Sequence, residues 1–393
     1  MLKQIILKQG KEKSVERFHP WIFSGAVAKK SGGLFDGDIV EVFDSGNHYL
    51  ATGHYFNNSI CVRIFSFDRV IPDYSFWKLK VENAIDLRLK MNLLNSNATT
   101  MFRLINGEGD GLPGFIADWF NGNVVMQFHS YGMWLLRETF KKILIDIFKE
   151  KIKSIYDKSS ATLTEIKGFE AKDELLHGEI SEVIVKENNI PFEIDIINGQ
   201  KTGFFIDQRD NRALVGQFSK GRKVLNLFCY TGGFSLYALN GGAELVHSVD
   251  ISAKAMSLTD KNIGRLPNNQ THKSYTEDVF KFLDNMPDNF YDLIVLDPPA
   301  FAKHHNVREQ GLKGYRNINR KAMEKIKNGG LLFTFSCSQA VSKDDFGTMA
   351  FSAAALENKN VRIIKHLEAG ADHPVSIFHP EGSYLKGLML FVS

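Results

Sequence analysis

Cysteine is scarce in this chain of 393 residues: Cys61, Cys229 and Cys337 are its only thiols, and they lie far apart. Disulfide-stapled secreted domains and paired-ligand zinc sites both need closely organised cysteines, so neither fits and a reducing cytoplasm is the expected location. Net charge is equally thin, 48 basic against 45 acidic residues, or +3. Bulk electrostatics therefore does not identify a nucleic-acid partner, and any such partner must be argued from local sites. No apolar run approaches the ~20 residues of a membrane span. The opening Met1-Leu-Lys-Gln-Ile-Ile-Leu-Lys alternates apolar with polar residues and lacks a signal peptide's continuous apolar stretch. No membrane partner is expected. Internal repeats and low-complexity linkers are missing too. What remains is ordinary globular composition, 44% hydrophobic and 24% charged, with a heavy load of 31 Phe. Disordered and collagen-like classes are excluded.

At about 150 residues per domain the length suggests two to three domains. From Ile5 to about Arg69 short alternating runs such as Ile39-Val-Glu-Val-Phe and Ile60-Cys-Val-Arg-Ile-Phe are separated by Gly, Asp and Asn turns, the pattern of a small β-barrel. A helical pattern then begins, with Phe76, Leu79, Val81, Ala84, Ile85 and Leu89 spaced by threes and fours. After it the coarse order is strand-strand-helix-strand, with a Gly-rich turn at Gly107-Glu-Gly-Asp-Gly-Leu-Pro-Gly and a helix from Met133 to Lys151. Residues Glu182 to Ile197 alternate again, and Gly203-Phe-Phe-Ile-Asp-Gln-Arg is expected to pass from a strand into a helix. From Arg222 onward apolar strands and helices alternate regularly, which predicts an α/β, doubly wound sheet.

The chemistry-bearing residues fall at the ends of those strands, where open α/β sheets bind ligands. Val224-Leu-Asn-Leu-Phe runs through Cys-Tyr-Thr-Gly-Gly into a helix near Phe234. Its two glycines let backbone amides approach a ligand, or serve only as a tight turn. The segment is neither a G-x-G-x-x-G nor a phosphate loop. Asp250, at the end of the next strand, is placed to accept both hydroxyls of a ribose, with capping of the helix near Ser252 as the bland alternative. Asp278 follows the next strand, where capping competes with adenine recognition. The fourth strand ends in Asp297-Pro298-Pro299-Ala300-Phe301, whose prolines fix the exit of the chain and leave a carboxylate at its mouth. The fifth ends at Cys337, on the same sheet edge. Cys61 and Cys229 read as core and packing.

Together these residues resemble the class I S-adenosylmethionine-dependent methyltransferases, and specifically the bacterial large-subunit ribosomal RNA cytosine-C5 methyltransferase I family. The likeness runs along the whole chain. It rests on Arg17-Phe-His-Pro-Trp-Ile-Phe, the Gly107 to Gly114 turn, Gly203-Phe-Phe-Ile-Asp-Gln-Arg, Phe228-Cys-Tyr-Thr-Gly-Gly-Phe, Asp297-Pro-Pro-Ala-Phe, Phe335-Ser-Cys-Ser, and Ala371-Asp-His-Pro with Tyr384-Leu-Lys-Gly. The resemblance implies a PUA-like RNA-binding barrel over 1–70, a middle α+β domain over 71–185 and a methyltransferase domain over 186–393. S-adenosyl-L-methionine would be the cofactor, held by Phe205, Gln208, Phe228, Tyr230, Gly232, Asp250, Ser252, Asp278 and Asp297. The partner would be 23S ribosomal RNA of the large subunit. A homodimer stays open.

Cytosine C5 is too weak a nucleophile to take a methyl group directly, so a thiolate must first add at C6. Cys337 would be that thiolate and Asp297 would stabilise charge at N3 and N4, the target base having left its stack. Ala300 stands where a separate group of RNA cytosine methyltransferases has a second cysteine, so the base that removes the C5 proton stays open. Arg17, Trp21, Lys29 and Lys30 are candidate RNA contacts, against Phe18 and Trp21 simply filling a barrel core; Lys303 is a candidate phosphate contact. Two other readings remain: an exocyclic-amine or guanine methyltransferase on RNA with Cys337 structural, and a noncatalytic RNA-binding assembly factor.

Overall fold

The short alternating runs of the first seventy residues become six strands: β1 (Lys3–Leu7), β2 (Trp21–Phe23), β3 (Val27–Lys30), β4 (Ile39–Phe43), β5 (Tyr49–Tyr55) and β6 (Ile60–Ser66), ordered β2-β6-β5-β4-β1-β3 in one sheet. Ile5, Leu7, Val40, Val42 and Val62 are fully buried in its core, and Cys61 is buried among them, as a small hydrophobe should be. The computed structural model describes residues 2–163, 168–302 and 304–393, and these divide into two compact units. The first comprises Met1–Val185, Ile194–Phe204 and Ala371–Gly382; the second comprises Lys186–Glu193, Phe205–Gly370 and Ser383–Ser393.

Within the first unit, Asp73 caps the helix Tyr74–Lys90 by accepting from the Phe76 amide. That helix buries Trp77, Val81, Ala84, Ile85 and Arg88, the i, i+4, i+7, i+8 and i+11 positions of one face. Leu79 and Leu89, expected on that face, are 57% and 41% exposed: Leu79 falls opposite the buried stripe, and in the last turn Arg88 points inward in place of Leu89. The second sheet is built from β7 (Met101–Asn106), β8 (Phe115–Phe120), β9 (Asn123–Phe128), β10 (Ser154–Asp157) and β11 (Glu174–Gly178), in the order β11-β10-β9-β8-β7. Three strands thus precede the helix Arg137–Phe148 and two follow it, more than the coarse reading held. The extra pair escapes a pattern search for physical reasons. β8 and β9 are joined by the Asn121-Gly122 turn, both residues at positive φ, and β11 is an exposed edge without alternation.

A hairpin of β12 (Val183–Glu187) and β13 (Ile190–Ile194) follows. The strand expected at Gly203 is not there. Gly203 sits at φ +126 with Ile196 close against it, and the chain turns directly into a 3-10 segment, Ile206–Gln208, and the helix Arg209–Gln217.

The second unit is dominated by β14 (Lys223–Leu227), β15 (Leu245–Asp250), β16 (His272–Thr276), β17 (Leu293–Leu296), β18 (Gly330–Ser336), β19 (Val361–Leu367) and β20 (Lys386–Val392), ordered β16-β15-β14-β17-β18-β20-β19. The first five are parallel, and β20 inserts antiparallel between β18 and β19. β17 and β18 are buried along their whole length, as strands covered on both faces must be. The order reverses at β14, the place where such sheets open a crevice beyond the carboxyl ends of their strands.

Candidate active site

The chain leaves β14 through Phe228, Tyr230 and Gly232, all with left-handed backbone at φ 55, 49 and 80. Two of the three are aromatic, so the strain is uncompensated by residue type and must be held by the surroundings. Those surroundings are visible. Cys229 N donates to Val249 O at 3.1 Å, the Thr259 hydroxyl donates to Tyr230 O at 2.9 Å, and Tyr230 N donates to Asp250 Oδ2 at 3.0 Å. Gly232 has no room for a side chain, since a Cβ would lie 2.7 Å from Thr259 Cγ2. The Gly232 amide also stays inside the turn, donating to Cys229 O at 2.9 Å, so the loop is held in one shape by its own amides. Thr231 Oγ1 is buried in this loop with no hydrogen-bond partner, as expected of a group awaiting a ligand.

Asp250 ties two strand ends together. Its Oδ2 takes the Tyr230 amide and its Oδ1 takes the Ser252 amide at 2.9 Å, leaving a lone pair on each oxygen for a diol. Ser252 caps the helix Ala253–Ile263 through the Ala255 amide. Helix capping therefore falls to Ser252, and Asp250 is freed from it. Asp278 does cap the helix Val279–Asn285, accepting from Lys281 N at 3.1 Å. Phe205 meets the Tyr230 ring edge-on at 5.2 Å between centroids, and Gln208 Nε2 donates to Asp297 Oδ2 at 3.1 Å. Phe205, Gln208, Tyr230, Asp250, Ser252 and Asp297 are thereby connected in two groups at the strand ends. Cys229 is turned away: it is buried against Met256 Sδ, and burial pushes its thiol well above the ordinary value. It is inert packing.

Asp297 and Cys337 are brought to one edge by register, since Leu296 pairs with Thr334 and Cys337 follows three residues later. Ser338 clamps the two loops. Its hydroxyl is shared with Tyr315 at 2.8 Å and accepts from Ala302 N at 3.2 Å, directly behind Asp297-Pro-Pro. Cys337 is half-buried, unlike the other two thiols. The pattern search overlooked Lys386. On β20 it pairs with Ser336 in the ladder, is only 5% exposed, and donates from Nζ to Ser338 O at 2.7 Å. Burial lowers this ammonium to about 8 despite the charge of Cys337, which pulls it up. A buried cation beside a half-buried thiol is the environment that enlarges a thiolate fraction. Its signal in the sequence was slight, one Lys opening an apolar strand in Tyr384-Leu-Lys-Gly.

The candidate RNA contacts lie elsewhere. Arg17, Lys29 and Lys30 are exposed, Lys30 donating to Tyr55 Oη at 3.0 Å. Trp21 is half-buried: its indole N–H donates to Glu108 Oε1 at 2.8 Å and its ring packs on His379 at 4.3 Å, while Phe18 is 48% exposed. Lys303 lies outside the described residues.

Strand-end loops of this kind on a 3-2-1-4-5-type sheet with an inserted antiparallel strand fit a methyltransferase. In agreement, the family model of S-adenosylmethionine-dependent methyltransferases matches residues 103–389, and that of PUA-like domains matches residues 5–67. The Ribosomal RNA large subunit methyltransferase I of Shewanella frigidimarina is 39% identical over 99% of both chains, and that of Alteromonas mediterranea 37% over the whole of both. Among solved structures, SMU.776 in complex with SAH covers all of both chains at TM-score 0.85 with 21% identity, a likeness of fold. The chain belongs to the ribosomal RNA large subunit methyltransferase I family, and its cofactor is S-adenosyl-L-methionine.

Proposed function

We propose that this protein methylates C5 of a cytosine in 23S ribosomal RNA through a transient bond between Cys337 Sγ and C6 of the base. The observation that supports the reading is the clamp of Ser338, next to the half-buried Cys337: it bonds to Ala302 in the loop after Asp297 and takes the Lys386 ammonium on its carbonyl. The named relatives act, by their names, on large-subunit ribosomal RNA. The strand-end residues suit the cofactor: Asp250 for its ribose hydroxyls, the Phe228 to Gly232 turn and Thr231 for its polar tail, Asp278 for the adenine side. Phe205, Gln208 and Ser252 would line the same pocket.

When bound, the cofactor supplies a methyl group on a sulfonium, an electrophile that cytosine C5 cannot attack unaided. Lys386, as ammonium, favours the Cys337 thiolate. The thiolate adds at C6, and the displaced π electrons run to N3, where Asp297 offers a proton or accepts from the N4 amine. C5 is then enamine-like and takes the methyl carbon. Loss of the C5 proton to a base expels Cys337 as thiolate. Catalysis here is covalent activation of a poor nucleophile.

Cys337→Ala tests this directly. Folding and cofactor binding should persist while methyl transfer stops, and wild-type protein should form a covalent adduct with RNA carrying 5-fluorocytosine at the target, because fluorine cannot leave as a proton does. A packing role alone would cost about 1 to 2 kcal/mol of stability and leave turnover largely intact. Appreciable turnover by a folded Cys337→Ala protein would transfer the assignment to exocyclic-amine or guanine methylation.

A further inference from the structure

The first unit contains a cavity of about 560 Å³ whose lining includes Phe18, Phe67, Phe378, Lys80, Asp68 and Glu108. Nothing in the methylation chemistry uses it. Phe18 stands at φ +63, a left-handed conformation that is rare for a bulky aromatic residue. Its ring touches Phe67 edge-on at 5.2 Å and Phe378 at 5.3 Å, yet Phe18 and Phe378 remain 48% and 45% exposed. Backbone strain is thus spent on keeping an aromatic face in contact with water. A ring that only filled a core would be buried and relaxed.

The charged groups that line the cavity are one ammonium, Lys80, and two carboxylates, Glu108 and Asp68. Glu108 is already neutralised by the Trp21 indole N–H and by Arg63 at 2.9 Å. Lys80, half-buried on the helix Tyr74–Lys90, makes no ion pair among the described residues. Its Nζ lies over the Phe76 ring at 5.4 Å and beside Gly111, where even a Cβ would come within 3.3 Å of it. Burial with no compensating carboxylate lowers its pKa. An anion arriving there would restore the ammonium's missing partner. Asp68 is exposed at the rim and can accept from an amino group.

An aromatic wall, a half-buried ammonium with no ion pair among the described residues and an exposed acceptor are the three things an unstacked nucleotide asks for. We infer that this cavity receives one unpaired nucleotide of the RNA substrate, its base lying on Phe18 and Phe378 and its phosphate on Lys80. The inference rests on the proposed RNA substrate and adds a second point of engagement, remote in sequence from Cys337. Recognition there is of a flanking nucleotide, not of the base that is methylated. Each of the three residues named lies within the first unit.

The probe is a fluorescein-labelled single-stranded RNA of about eight mixed-sequence nucleotides, within the length such surfaces engage, titrated against the full chain at several salt concentrations. Phe18→Ala should weaken binding on the order of tenfold. Lys80→Met should weaken it and reduce the slope of log Kd against log salt by about 0.7, the loss of one phosphate contact on a single strand. Lys80→Arg should restore both. Circular dichroism and cofactor affinity should be unchanged in all three variants. RNA containing 4-thiouridine should crosslink on irradiation to Phe18 or Phe378. Wild-type affinity and slope in folded Phe18→Ala and Lys80→Met proteins would overturn the cavity while sparing the RNA reading. Failure of the unaltered protein to bind any RNA would overturn both.

Discussion

Lys386 is a charge placed where charge is expensive, and its cost and its use separate with pH. Its folded value of about 8 lies below the ordinary lysine value, so the unfolded chain binds more protons between about pH 8 and 10.5. Stability from this group therefore rises as pH climbs through that window, its burial penalty being present in full below pH 8. Activity should run the other way. On the proposed mechanism the ammonium that favours the Cys337 thiolate is lost above pH 8, so kcat/KM should fall on the alkaline side. Lys386→Arg should carry that limb beyond the accessible range. Lys386→Met should abolish the limb and lower the neutral-pH rate by about tenfold for each unit that the thiol pKa rises. Measured pH–rate profiles of the three proteins check this, and an alkaline limb that persists in Lys386→Met would assign it to another group. At this scale the sequence was legible wherever a residue sat in a motif: Asp297 and Cys337 each end a readable strand. Lys386 was not, because only strand order brings a residue near the C-terminus beside Cys337. Arg88 was hidden likewise. A basic residue on a helix reads as solvated until its partners Asp110 and Asp372 are known.

The loop that follows β14 works as one element, because three left-handed residues are held by a carboxylate from the next strand. Asp250→Ala should then do more than remove the proposed ribose contact. It frees the Tyr230 and Ser252 amides that Asp250 accepts, and the Phe228 to Gly232 turn loses its tie to β15. Cofactor affinity should drop about tenfold or more, the equivalent of ~1.5 kcal/mol or more for a charge-assisted hydrogen bond. Asp250→Asn, which keeps an acceptor for one amide, should fall between. Calorimetric titration with S-adenosylmethionine measures both, and unchanged affinity in folded Asp250→Ala protein would remove this residue from the pocket. The parallel strands were easy to read because burial on both faces leaves uninterrupted apolar runs such as Leu293-Ile-Val-Leu. Edges were hard. β11 is exposed and carries no period, and the segment at Gly203 has strand-like composition but is bent by a glycine at φ +126.

On the scale of the molecule the chain passes between its two compact units five times, at 185/186, 193/194, 204/205, 370/371 and 382/383. Local pattern could not reveal the last two, since Ala371-Asp-His-Pro looks like any loop between strands. Its contacts say what it does. Arg88, fully buried, donates from Nη2 to Asp372 O at 2.8 Å and from Nη1 to Asp110 at 2.6 Å, and Arg103 N donates to Asp372 Oδ2 at 2.9 Å. Asn106 Nδ2 reaches Pro374 O at 2.9 Å, and Gly109 has no room for a Cβ because Pro374 O would stand 1.9 Å from it. The first unit therefore lacks part of its interior until residues 371–382 arrive. A fragment of residues 1–204 should leave one Arg88 N–H and the Arg103 amide without those acceptors, Arg88 keeping Asp110, a defect of about 1 to 3 kcal/mol for each unsatisfied buried donor and together a large share of the stability of a small domain. It should show no cooperative thermal transition. The same fragment with residues 371–382 joined through a flexible Gly/Ser linker should regain one, and Asp372→Ala in the joined fragment, which removes the acceptor of the Arg103 amide but keeps the carbonyl that Arg88 uses, should lower its midpoint. Circular dichroism melts of the three fragments decide the matter: a transition in the bare 1–204 fragment equal to that of the joined one would show that this segment only rests on the unit and does not complete it.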